Sequence, residues 1–104
     1  MAKVVWSVPA LEDLKDIVDY VAKDSPAYAE RVGMHLVEAP RRLEVFPLSG
    51  RVVPEFARTD MRELIYGAYR IMYQIRGDAC LIAAVVHASR DIVRHLDPGD
   101  WIAL

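Results

Sequence analysis

The stretch "VVHASRD", residues 85–91, places His87, Ser89, Arg90 and Asp91 directly after an apolar run. An imidazole there could give or take a proton near neutral pH, and an arginine beside it could hold an anion, two ingredients of acid–base catalysis on a charged substrate. The alternative is a strand end whose histidine hydrogen-bonds to nearby backbone and whose polar residues another molecule grips. His87, Asp91 and His95 are also spaced by four, which on a continuous helix would align three metal ligands. A strand ending near residue 87 removes that face, so neither a metal nor a cofactor is expected. Arg70, in "YRIMY", is a second candidate, since a guanidinium matches carboxylate or phosphate in two-pronged geometry. Glu63 could pair with it from the neighbouring strand, and Arg51 and Glu55 could do no more than anchor their own loop.

These side chains need elements to hold them. "KVVWS", residues 3–7, is a short apolar strand candidate. Pro9 suits a first helical position, and Leu11, Leu14, Ile17, Val18 and Val21 recur at helical spacing opposite Glu12, Asp13, Asp16 and Asp19, predicting an amphipathic helix over about 9–23. Ser25 and Pro26 then restart the pattern as N-cap and first-turn residue. So short a link predicts an antiparallel helical hairpin. The second helix carries Tyr28, Val32, Leu36, Ala39, Leu43 and Phe46 on one stripe, with Pro40 in its middle. Proline there removes a hydrogen bond, which predicts a kink or an early end.

A loop over about 47–61, broken by Pro47, Gly50 and Pro54, leads into three strand candidates, 62–66, 68–75 and 79–87, joined by turns at Gly67 and "RGD". Short turns make them an antiparallel meander. Alternation puts Tyr69, Ile71, Tyr73 and Ile75 on the face that meets the helices and Arg70, Met72 and Gln74 on the other. The last strand is apolar on both faces and belongs inside the sheet or under a partner. A short helical turn is expected at 89–96.

At 104 residues the chain fits one domain, 1–104, able to bury about 65% of the surface its unfolded form exposes. With 54% hydrophobic and 27% charged residues it reads as a soluble globular domain without a membrane span. A single cysteine, Cys80, excludes an internal disulfide, and no apolar stretch of signal-peptide length opens the sequence, so a cytoplasmic location is expected. The net charge of −2 argues against strong direct nucleic-acid binding. Charge is nevertheless two-sided: residues 1–40 carry seven acids against four bases, and residues 41–94 carry nine arginines against six acids.

The order strand, helical hairpin, three-strand meander and short C-terminal helix resembles the ParE branch of the ParE/RelE toxin superfamily, the toxin halves of bacterial toxin–antitoxin pairs. The likeness covers about residues 3–95 and is carried by "ALEDLKDIVDYVAKDSP", by Pro47, Gly50, Arg51, Pro54 and Glu55, by "RELIYGAYRIMYQI" and by "VVHASRD". It implies an α+β fold in which the hairpin packs on one face of an antiparallel sheet. Two activities compete within the superfamily: ParE-like proteins poison DNA gyrase, and RelE-like proteins cut messenger RNA on the ribosome. Either is neutralised by a small antitoxin, for ParE-like members usually a ribbon-helix-helix protein of the ParD kind.

Cutting RNA through its 2′-hydroxyl needs a base, an acid and fixed positive charge on the phosphate. Arg70 and Arg90 fall where RNA-cutting relatives keep phosphate-binding arginines, and His87 could move a proton, so a ribonuclease would use these three. The lysines and C-terminal tyrosine of such relatives have no counterpart, since no lysine follows Lys23 and no tyrosine follows Tyr73. The expectation is therefore a gyrase poison acting by protein contact, with Arg51, Arg70, His87 and Arg90 facing the target and no catalytic residue. A ribosome-dependent endoribonuclease is the alternative, and an inert or plain binding module the third. The antitoxin is expected to use strand addition at a sheet edge and a helix groove on the hairpin, meeting Asp16, Asp19, Tyr20 and Met72.

Overall fold

The computed structural model describes residues 1–89. Strand β1 (Lys3–Trp6) leads into helices α1 (Val8–Ala22) and α2 (Pro26–Glu38), and a 3-10 turn (Ala39–Glu44) follows. Then come β2 (Arg51–Val52), β3 (Met61–Tyr66), β4 (Tyr69–Arg76) and β5 (Ala79–His87). The five strands form one sheet in the order β1-β5-β4-β3-β2. The meander β3-β4-β5 is antiparallel, as its short turns require, whereas β1 lies parallel to β5 and makes the sheet mixed. That placement seats β5, apolar on both faces, between two neighbours.

Both helices start on serine. The Ser7 hydroxyl accepts from the Ala10 amide at 3.1 Å, and Ser25 accepts from Tyr28 at 3.2 Å, each satisfying an N–H that the first turn leaves unpaired. Ser7 also donates to the Ala83 carbonyl at 3.3 Å, which ties the start of α1 to the middle of β5. At Ala39 the α-helix gives way to the tighter 3-10 turn, one residue before Pro40. Helical geometry stops at Glu44, so Phe46 is not held over the core and stays 64% exposed.

The main core fills the space between hairpin and sheet. Val32, Leu36 and Leu43 meet Leu64, Ile71, Tyr73, Ile82 and Val85, with Leu14 and Ile17 packed against them. The predicted α1 stripe is offset at its start: Ala10 is buried and Leu11 is exposed. A second cluster on the opposite face joins Val53, Met61, Met72, Ala83, Ala84 and Val86. The two clusters exchange phase along β5 because Met72 pairs with Ala84 and Tyr73 with Ile82, leaving Ala83 as an extra residue. This bulge lets even-numbered Ile82 and odd-numbered Val85 point the same way.

The stretch expected as a plain loop is pinned at both ends and contributes a strand. Gly50 donates its N–H to the Tyr73 hydroxyl at 3.0 Å, and that hydroxyl donates to the Pro47 carbonyl at 2.7 Å. Val53 donates to the Met61 carbonyl at 3.0 Å, and Arg62 reaches the Gly50 carbonyl at 3.0 Å.

Candidate functional site

On the sheet face away from the helices, Glu63 stands between two arginines. Its carboxylate accepts from Arg51 Nε at 2.5 Å and from Arg70 Nε at 2.6 Å. Arg51 sits directly opposite Glu63 on β2, and Arg70 approaches diagonally, since its own partner in the ladder is Ile65. Both terminal nitrogens of Arg70 then reach the two Glu55 oxygens at 2.8 Å in a fork-on-fork pair. The Glu63 side chain is fully buried and that of Arg70 only 7% exposed, while the Arg51 side chain keeps 59% exposure. Two arginines and two glutamates cancel in net charge, so burial of the central pair carries no uncompensated ion.

This network perturbs the acid groups at its rim. The hydrogen bonds from Arg70 hold the Glu55 carboxyl below its usual range, and the same pairing raises the Arg70 guanidinium. Asp60 is lowered too, first by the Gln74 amide at 3.0 Å and then by Arg58. Carboxyls depressed in the folded state stabilise it above their unfolded pKa, and that stabilisation is lost as pH falls through the folded values. Thermal midpoints should therefore fall as the buffer is taken below the ordinary carboxylate range, and Glu55→Gln should flatten that decline. A wild-type decline matched by the Glu55→Gln protein would remove Glu55 from the account.

His87 lies elsewhere. Its ring packs edge-on against Tyr69, with centroids 5.7 Å apart, and Nδ1 lies 2.7 Å from the Ser89 hydroxyl. With Tyr69 it lines a cavity of about 470 Å³ against Asp13, Asp16 and Tyr20 of α1. His87 is thus on the helix side of the sheet and Arg70 on the opposite side. The structure does not bring the proton-transfer candidate to the anion-binding candidate. Arg90, Asp91 and His95, with the expected turn at 89–96, lie outside the described residues. Among the described residues, no three His, Cys, Asp or Glu side chains gather closely enough to hold a metal.

Of the residues expected to meet an antitoxin, Asp16, Asp19 and Tyr20 are exposed on α1, with Asp19 paired to Lys15 at 3.0 Å. Met72 is corrected: it has no exposure, because it sits in the second cluster with Val53 and Met61 and cannot offer a contact surface. A separate apolar groove of about 410 Å³ runs between the helices over Leu14, Val18, Gly33, Met34 and Val37. Met34 is 60% exposed there and Val37 45%. A Cβ on Gly33 would lie 3.0 Å from Val18, so its absence lets the helices approach closely.

Four residues make contacts that sequence reasoning does not single out. Glu55 was read only as a loop anchor, yet it closes the Arg70 fork. Asp13 was read as the polar face of α1, yet its carboxylate accepts from the Val85 amide at 3.0 Å. His35 and Tyr66 hydrogen-bond through Nδ1 and the phenol, joining α2 to the end of β3. The sequence spacing of each pair offers no local signal.

A family model described as "ParE toxin of type II toxin-antitoxin system, parDE" matches residues 4–92. The chain is 36% identical over 91 residues to "Toxin RelE2" of Caulobacter vibrioides, an alignment spanning 86% of this chain and 99% of that protein. In fold it is similar to a chain of the chromosomal ParDE system from P. aeruginosa, with a TM-score of 0.70 and 22% identity over 84% of this chain and 96% of that one. It is also similar to a chain of the RelBE2 toxin–antitoxin complex from Mycobacterium tuberculosis, with a TM-score of 0.51 and 20% identity over 83% of this chain and 96% of that one.

Proposed function

Because the chain belongs to the ParE toxin family of type II toxin–antitoxin systems, within the ParE/RelE fold, we propose that it acts by gripping a protein target, DNA gyrase, and not by cleaving RNA. One observation carries this reading: His87 and Arg70 are on opposite faces of the sheet, and the Arg70 donors are committed to Glu55 and Glu63. A phosphate approaching Arg70 would have to displace a two-pronged carboxylate pair, and the His87 imidazole lies across the sheet from it. Arg51, largely exposed at the rim of that network, is the target-facing arginine, with Arg90 as its expected companion. Arg70 supports the surface from beneath. His87 belongs to the α1 cavity.

The partner that silences it is a cognate antitoxin of the ParD kind. Its amphipathic helix would lay apolar side chains on Met34 and Val37 in the interhelical groove, a mode of recognition that needs anchors one helical turn apart. The exposed acids Asp16 and Asp19 suit basic residues flanking that helix.

The purified protein should inhibit gyrase supercoiling and accumulate cleaved DNA while leaving translated transcripts intact. Arg70→Ala and His87→Ala should produce no loss of the size, about 10²–10⁴-fold, that follows removal of a catalytic acid or base. Unaffected gyrase across a wide concentration range, together with cut message on translating ribosomes, would overturn the proposal in favour of the ribonuclease reading.

A further inference from the structure

We infer that the cavity between α1 and the end of β5 is an anchor site for an arginine side chain, carried by an extended segment of the antitoxin. This rests on the reading that an antitoxin binds at all, and it adds a defined chemistry to that binding.

The site arises from a mismatch in strand length. β1 ends at Trp6, paired to Ile82, whereas β5 continues to His87. Ser7 covers the next backbone groups, donating its N–H to the Ile82 carbonyl at 3.0 Å and its hydroxyl to Ala83. Beyond that, no described strand pairs with the outer edge of β5. α1 crosses there instead, and Asp13 takes the Val85 N–H in place of a strand carbonyl. The backbone at His87 faces the same edge as that at Val85, because the intervening alternation turns Ala88 toward β4, where it donates to the Ala68 carbonyl at 2.7 Å. Among the described residues, a short length of ladder beside the cavity is thus left without a strand partner.

The lining specifies what such a segment should insert. Asp16 supplies exposed negative charge, Tyr20 and Tyr69 supply ring faces and edges, and Ile17 supplies apolar contact. Tyr20 is 71% exposed, and the Lys23 ammonium already stands 5.6 Å from its ring centroid, so the ring face accepts a cation. A planar guanidinium can lie flat on a tyrosine while its edge N–H groups pair with a carboxylate in two-pronged fashion, a geometry that an ammonium lacks. An apolar side chain would strip water from Asp16 without compensation, and a phosphate would be repelled.

The test titrates the isotope-labelled full chain with Nα-acetyl-arginine amide and with its uncharged isostere, Nα-acetyl-citrulline amide. The arginine compound should shift the amide resonances of Ile17, Tyr20, Val85 and His87, and the citrulline compound should bind about ten-fold more weakly or worse. Asp16→Asn, at an exposed position that leaves the fold intact, should weaken the arginine compound by about ten-fold, and Met34→Glu in the other groove should leave it unchanged. Equal responses to the two compounds, shifts mapping elsewhere, or full binding by the Asp16→Asn protein would each overturn the anchor. Co-expression separates this from the broader reading. Growth rescued by the neighbouring gene's product with no arginine binding rejects the anchor alone, and arginine binding with no rescue rejects the antitoxin reading alone.

Discussion

Glu63→Ala is expected to destabilise the protein by about 3 kcal/mol, the cost of leaving a charged, buried Nε–H donor unsatisfied while Glu55 still holds the terminal nitrogens. The Glu63 carboxylate is fully buried, and Arg70, 7% exposed, depends on it for its Nε donor. Alanine leaves that donor facing a void in a face lined by Met61, Met72 and Val53. Arg51 is more than half exposed and can turn to water, so the loss falls on Arg70. Glu55 cannot compensate, because its two oxygens already hold both terminal nitrogens. Urea unfolding should show a lower midpoint with an unchanged slope. Replacing both charges, Glu63→Met with Arg70→Met, should recover much of the loss, since apolar residues of similar volume often match a buried ion pair. A loss below about 1 kcal/mol for the single substitution would mean that the pair behaves as a solvated surface bridge.

The second large effect is expected at Gly50. A Cβ built there would lie 2.6 Å from the Tyr73 hydroxyl oxygen and 2.7 Å from the Glu63 carbonyl oxygen, well inside contact distance. Neither neighbour can retreat cheaply: Tyr73 has no exposure, and the Glu63 backbone is part of β3. In the Gly50→Ala protein the chain around residue 50 must move off the sheet, at about 1–3 kcal/mol for overpacking. That movement also stretches the bonds among Gly50, Tyr73 and Pro47, which adds about 1 kcal/mol for each buried bond lost. It carries Arg51 with it, so target binding should weaken along with stability. Tyr73→Phe in the same background should cost less than the two separate losses combined, because removing the hydroxyl relieves part of the clash. Strict additivity would show that the two groups do not meet.

Much of the scaffold was legible because its signals are local. Ser25 and Pro26 mark the start of α2 through requirements set within one turn, and Pro40 ends regular helix geometry wherever it stands. Gly67 and Gly77 read as turns from composition, and both adopt positive φ, 55° and 57°. Alternation along β4 assigned Ile71 and Tyr73 to the helix face, since a period of two is fixed by the strand itself. Arg70 and Glu63 were visible as a possible pair for the same reason: neighbouring strands of a tight meander have few registers.

What the sequence by itself determined, then, is the first strand, the two helices and the three meander strands, their order and the faces of the central strand; β2 emerged only in the fold. The tertiary structure decided which distant groups meet. Parallel pairing of β1 with β5 joins residues 76 apart, such as Lys3 and Ala79, and it alone leaves the end of β5 uncovered for Asp13 to cap. The bulge at Ala83 reverses the facing of Val85 and Val86 without any mark in an apolar run. Glu55 reaches Arg70 only because Gly50, Tyr73 and Pro47 fix the path of the intervening chain. Local periodicity constrains a residue's face within its own element, whereas the partner across a sheet or loop depends on the packing of every element between them, and that packing separated His87 from Arg70.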